Sequence, residues 1–135
     1  MHNEEEILKR ALQFIVENLY NKDLTVVMTA EGANTNMKKM YEIFCSYINM
    51  CPKRCILMLR IERLEKEIIT MYQKNDCVKS ASVVIKYGFS GMSGMNNSIK
   101  LVEGVTFIGF KKKVIQNYLA GNPSLINTEV IRKYL

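Results

Sequence analysis

An all-α fold is what this 135-residue chain predicts, and three observations predict it. Proline occurs only at Pro52 and Pro123 while helix formers and methionine are plentiful, and no segment sustains the one-in-two alternation of a half-buried strand. The third observation is residues 52–74, PKRCILMLRIERLEKEIITMYQK, whose Ile56, Leu59, Arg60, Arg63, Leu64, Glu67, Ile68, Met71 and Tyr72 keep a 3.6-residue alternation of apolar and charged faces. Pro52 suits a first turn and Asn75-Asp76 an end, so the stretch reads as one amphipathic helix of roughly 34 Å. With 48% hydrophobic residues the chain has enough apolar material for a packed core of its own.

Taken in order, Asn3 caps a first helix whose opening turn carries Glu4, Glu5 and Glu6, the sign of charge that a helix N-terminus favours. Ile7, Leu8, Ala11, Leu12, Phe14, Ile15, Leu19 and Tyr20 give it a broad apolar face, which marks it as a brace. Residues 24–49 then divide into two short helices. In the first, Thr25 is the cap and Leu24, Val27, Met28 and Ala30 face inward; Gly32-Ala33-Asn34-Thr35 is the turn. The second, residues 36–48, buries Met37, Met40, Ile43, Phe44, Tyr47 and Ile48, and turns Lys38, Glu42, Cys45 and Asn49 outward with Tyr41 at the flank.

A comparable unit follows the long helix. Val83, Val84 and Tyr87 make a short apolar helix, Gly88-Phe89-Ser90-Gly91 a turn, and Met92, Met95, Ile99 and Val102 the buried face of a second helix with Ser90 as its cap. An offset of 55 residues pairs Met37 with Met92, Met40 with Met95, Phe44 with Ile99, Asn49 with Gly104 and Met50 with Val105. The outward faces correspond too: Lys38 with Ser93, Tyr41 with Asn96, Glu42 with Asn97 and Cys45 with Lys100. The pattern is that of a divergent internal duplication of a helix-turn-helix unit. After it, Val114, Ile115, Tyr118 and Leu119 extend a last helix, Gly121-Asn122-Pro123 breaks it, and Leu125, Ile126, Val130, Ile131, Tyr134 and Leu135 form an apolar stripe. That stripe either packs back on the domain or docks a protein partner.

Charge and residue chemistry narrow the function. Net charge is +6, and it is uneven: residues 1–23 carry three basic against five acidic side chains, residues 80–113 five against one. A basic middle points to a polyanionic partner, most simply nucleic acid. Cys45, Cys51, Cys55 and Cys77 contain no CxxC pair, and the one histidine, His2, stands in a terminus expected to fray, so free thiols in a reducing cytosol are expected and no metal or other cofactor. There is no nucleotide-binding glycine loop, no clustered carboxylate pair and no nucleophile with a base, which argues against an enzyme. No apolar run reaches membrane-spanning length and the acidic start is unlike a secretory signal; a cytoplasmic location is expected.

Three stretches, LRIERL (59–64), YGFSGMSGMNNSIK (87–100) and GVTFIGFKK (104–112), resemble the DNA-binding domain of AraC/XylS-type bacterial transcription regulators. The resemblance runs over residues 24–64 and again over residues 83–111. It implies two helix-turn-helix units, residues 24–49 and 80–112, joined by a linker helix, residues 52–74, with residues 113–135 as a C-terminal extension. Gly88, Phe89, Ser93, Met95, Ile99, Lys100, Gly104 and Thr106 occupy the positions of the family's second-unit pattern. By that resemblance Lys38, Tyr41 and Glu42 in the first unit, and Met92, Ser93, Asn96 and Asn97 in the second, face the bases of successive major grooves of double-stranded DNA. Lys39, Lys53, Lys100, Lys111 and Lys112 are the corresponding candidates for phosphate contacts.

The chain also departs from the family. Glu42 stands where an arginine or other donor is common, Gly94 where an aromatic follows the serine, Thr106-Phe107 replaces Thr-Pro, and Phe44-Cys45 replaces the first unit's Phe-Lys. No counterpart of the separate sensing or dimerisation domain of the larger members is expected within these residues. Two functions are therefore expected: a monomeric regulator that reads two adjacent groove segments and touches RNA polymerase, or a degenerate relative that acts through protein contacts, such as an antagonist of a related activator.

Overall fold

The computed structural model describes residues 3–135; His2 lies outside the described residues. Over those residues the chain is helical, with α1 (Glu4–Glu17), α2 (Val26–Gly32), α3 (Met37–Ile48), α4 (Pro52–Gln73), α5 (Ser80–Lys86), α6 (Met92–Glu103), α7 (Phe107–Leu119) and α8 (Glu129–Arg132), and no strand. The all-α expectation is met.

Local chemistry explains most boundaries. The Asn3 Oδ1 accepts from the Glu5 N–H, the Thr25 hydroxyl from the Met28 N–H and the Asn36 Oδ1 from the Lys39 N–H, so α1, α2 and α3 each begin on a side-chain cap. The second unit is capped differently from expectation. Gly91, not Ser90, is the residue before α6, in extended backbone and without a side-chain cap. Gly94 lies inside α6.

Helix α4 starts with Pro52 in its first turn and divides the core between its two halves. Its N-terminal half places Cys55, Ile56 and Leu59 in a cluster with α1, α2 and α3; its C-terminal half places Ile61, Leu64 and Ile68 in a second cluster with α5, α6 and α7. The expected single charged face does not exist in the middle of α4, where Arg60, Glu62 and Glu65 are all buried. Burial of charge needs partners, and each has them. Arg60 donates to the carbonyls of Leu19 and Asn21 in the connection after α1, Glu62 accepts from Thr128 and Arg132, and Glu65 accepts from the Leu125 and Ile126 amides.

Those last contacts settle the C-terminal stripe. It runs back along α4, with Ile126 in the second cluster, Ile131 in the first, and Tyr134 edge-on to Tyr47 at 6.0 Å. Of its apolar residues only Val130 and Leu135 are exposed. The extension is packed, and it ties the two halves of the core together.

The two paired stretches match in backbone geometry. Helices α3 and α6 are both 12 residues and begin 55 apart, and α2 and α5 are both seven residues and begin 54 apart. The extra residue lies in the second turn. Both turns close with the same bond from an amide to the carbonyl five residues back, Thr35 to Ala30 and Phe89 to Val84, at 3.0 and 3.1 Å. Both also pass through a left-handed residue, Asn34 (φ 56°) and Gly88 (φ 84°). At Gly88 a side chain is excluded twice over, since a Cβ there would stand 2.6 Å from the Leu19 carbonyl oxygen.

Four apolar expectations fail. Tyr20, read as part of the first helix's apolar face, lies beyond the end of α1 and is 48% exposed. Val27 is exposed because α2 makes under two turns and buries one narrow face through Thr29 and Ala30. Met37 and Met92 are 39% and 46% exposed: each is the first residue of its helix and projects past the end of the packed face.

Candidate nucleic-acid interface

The outward faces of α3 and α6 follow from what their inward faces bury. On α3, Met40, Ile43, Phe44 and Ile48 are fixed in the first cluster, and the 100° step of the helix then turns Lys38, Tyr41, Glu42 and Cys45 to solvent. On α6, Met95 and Ile99 are completely buried, and Met92, Ser93, Asn97 and Lys100 are exposed. Met40 matches Met95 and Phe44 matches Ile99 in depth, all at 0% exposure, so the two helices present the same register outward. Asn49 and Gly104 end them in equivalent left-handed caps, φ 52° and 73°.

Three of the sequence-derived positions are otherwise occupied. Asn96 is half-buried, and its Oδ1 accepts from the Phe107 N–H at 2.8 Å, capping α7 onto α6. An asparagine that reads adenine needs its acceptor and its donor together, so Asn96 is a structural residue and Asn97 alone keeps that capacity. Lys39 leans back to Glu4 of α1, Nζ to Oε2 2.7 Å, and the hydrogen bond with that carboxylate raises its pKa. Lys111 turns along α7, with Nζ 3.1 Å from the Cys77 sulfur, 3.4 Å from the Val78 carbonyl oxygen and 5.6 Å from the Phe107 ring centre.

Lys38, Lys53, Lys100 and Lys112 remain exposed and in no ion pair among the described residues. Arg54, beside Lys53 in the first turn of α4, is a further exposed donor. The signal that would have found it is its place two residues after Pro52, in the first turn of the helix and next to Lys53. One carboxylate, Glu42, stands exposed in the middle of the α3 face, whereas Glu103, at the end of α6, pairs with Lys113.

Burial pushes the Cys55 thiol up to about 12, so it is an inert core residue. No group of His, Cys, Asp and Glu able to hold a metal occurs among the described residues, and no described helix is long and apolar enough to cross a membrane.

Compared with protein-family models, with curated proteins and with solved structures, the chain matches none. Its functional reading rests on the residues themselves.

Proposed function

We propose that the protein binds double-stranded DNA and regulates transcription, inserting α3 and α6 into successive major grooves as the resemblance to AraC/XylS-type regulators implies. The observation that carries this reading is the duplicated register: two 12-residue helices, 55 residues apart, expose equivalent positions on either side of a 22-residue helix. At 1.5 Å per residue that helix is roughly 33 Å long, close to one turn of B-DNA. Exposed Lys38, Lys53, Arg54, Lys100 and Lys112 supply phosphate contacts, and Ser93 and Asn97 supply hydrogen bonds to base edges.

A second reading, a helix-turn-helix protein that acts through protein contacts, is favoured by one observation: Glu42 faces outward where phosphates would repel it. Selection of the full chain on a randomised duplex of about two helical turns, with affinity followed against salt, separates the two. Two enriched blocks one turn apart are expected. A pool that never enriches, with weak and strongly salt-dependent binding, would sink the DNA-reading proposal.

A further inference from the structure

The segment joining α4 to α5, the start of α6 and the first turns of α7 enclose an open groove of about 550 Å³, within the usual range for small-molecule sites. Its walls are two-sided. Val78, Met92, Phe107 and Ile108 are apolar; Met92 and Ile108, 46% and 64% exposed, are its uncovered surface, and Val78 and Phe107 are buried beneath it. Lys79 and Lys111 are the charged residues of the lining, which holds no carboxylate.

Lys111 distinguishes this groove from a patch of surface. Like Lys38, Lys53, Lys100 and Lys112, Lys111 has no carboxylate partner among the described residues, but unlike them it has fixed neighbours. Its ammonium is held against the wall by the Cys77 sulfur, the Val78 carbonyl and the face of Phe107. An ammonium has three N–H donors and these two hydrogen-bond partners leave at least one for a ligand. A positive group fixed at the edge of an uncovered apolar surface is complementary to an anion that carries its own apolar tail.

We propose that this groove binds a small amphiphilic carboxylate, the head group on Lys111 and Lys79 and the tail along Val78, Met92, Phe107 and Ile108. A bare phosphate would gain nothing from those apolar walls, and an uncharged alkane chain nothing from the lysines. The site shares Met92, at the start of α6, with the proposed DNA face, and binding to it is measured on the free protein.

The test uses the full chain and octanoate, with 1-octanol and inorganic phosphate as the tail-only and charge-only probes. Saturable octanoate binding is expected in the methyl spectra of Met92 and Ile108, with Kd on the order of 0.1–1 mM for a ligand of this size. Octanol should bind at least about tenfold more weakly, as should octanoate to Lys111→Met, while Lys133→Met, a remote charge removal, should leave affinity unchanged. On the unmodified chain, octanoate should slow maleimide labelling of exposed Cys77 and leave exposed Cys45 as it was. Equal binding of octanol, equal loss in both lysine variants, equal slowing of both thiols, or no saturation below about 5 mM would each overturn the proposal. So would an acidic peptide that binds where octanoate does not, since the groove would then belong to a macromolecular partner.

Discussion

The Arg60 guanidinium donates through Nε to the carbonyl oxygen of Leu19 at 2.9 Å, and through its second nitrogen to that of Asn21, also at 2.9 Å. It thereby anchors the connection after α1 to the middle of α4, where the two core clusters meet. Burial lowers the Arg60 pKa, but guanidinium stays charged at any working pH. Arg60→Met keeps the apolar stem and leaves two carbonyls without their donor, for a loss of about 1–3 kcal/mol in urea unfolding. Arg60→Lys should recover part of it only, because an ammonium cannot reproduce the fork that reaches both oxygens.

Glu65 and Glu67 should give opposite pH signatures. Burial raises the Glu65 pKa above its ordinary 4.5, even though two backbone amides bond to it. The native carboxyl therefore holds its proton longer than the unfolded one, and stability falls as pH rises from about 4.5 through the raised value. Hydrogen bonds from Lys86, then Tyr87, lower the Glu67 pKa below its ordinary 4.5, so its contribution is present above 4.5 and lost as pH falls through the lowered value. In urea titrations across pH 3–7, Glu65→Gln should gain on the parent chain as pH rises, and Glu67→Gln should lose.

Two glycines in helices should respond with opposite sign. A Cβ at Gly32 would stand 2.2 Å from the Phe14 ring, so Gly32→Ala displaces a packed aromatic and should cost about 1–3 kcal/mol. A Cβ at Gly94 meets only the Ser90 side chain, whose Oγ at 2.6 Å can rotate away. Gly94→Ala should therefore gain up to about 1 kcal/mol from helix propensity, read as a higher urea midpoint with unchanged slope.

These cases separate what periodicity reveals from what it conceals. The buried faces of α3 and α6 were legible because Met40 and Phe44, and Met95 and Ile99, are spaced by the helix period, which depends on near neighbours alone. The roles of Arg60, Glu62 and Glu65 were not, because their partners lie 39–70 residues away and charged side chains along a helix fit an exposed face equally well. Lys39, Asn96 and Lys111 follow the same rule. Each has the residue type and spacing of a contact residue, and each is drawn aside by a group that only the fold brings near: Glu4, the Phe107 amide and Cys77.

On the proposed reading, Asn97 and Lys112 should fail differently. Asn97 is exposed on α6 with its amide unengaged among the described hydrogen bonds, so Asn97→Ala should relax preference at one base pair at a cost of about 1–3 kcal/mol. Lys112→Ala should weaken binding to every sequence alike and reduce the salt slope by about one. Quantitative binding to the enriched and a scrambled duplex distinguishes them. An Asn97→Ala chain with unchanged preference and affinity would mean that α6 does not face the bases through that residue.

Glu42 carries the last prediction, because it is where DNA reading and protein contact diverge. It is exposed at the centre of the α3 face, one turn from Lys38, and the Asn at its equivalent position on α6 is neutral. If α3 enters the groove, Glu42→Gln removes a charge that phosphates repel while keeping the length and an acceptor. Affinity for non-specific duplex should rise and the salt slope steepen by about one, with specificity lost only at a base pair whose cytosine N4 the carboxylate was accepting from. Were α3 turned away from DNA, the same substitution would change neither affinity nor slope at any sequence, because Debye screening at about 0.15 M salt leaves little interaction beyond about 8 Å. Measuring both duplexes over a salt series with Glu42→Gln thus tests α3 separately from α6.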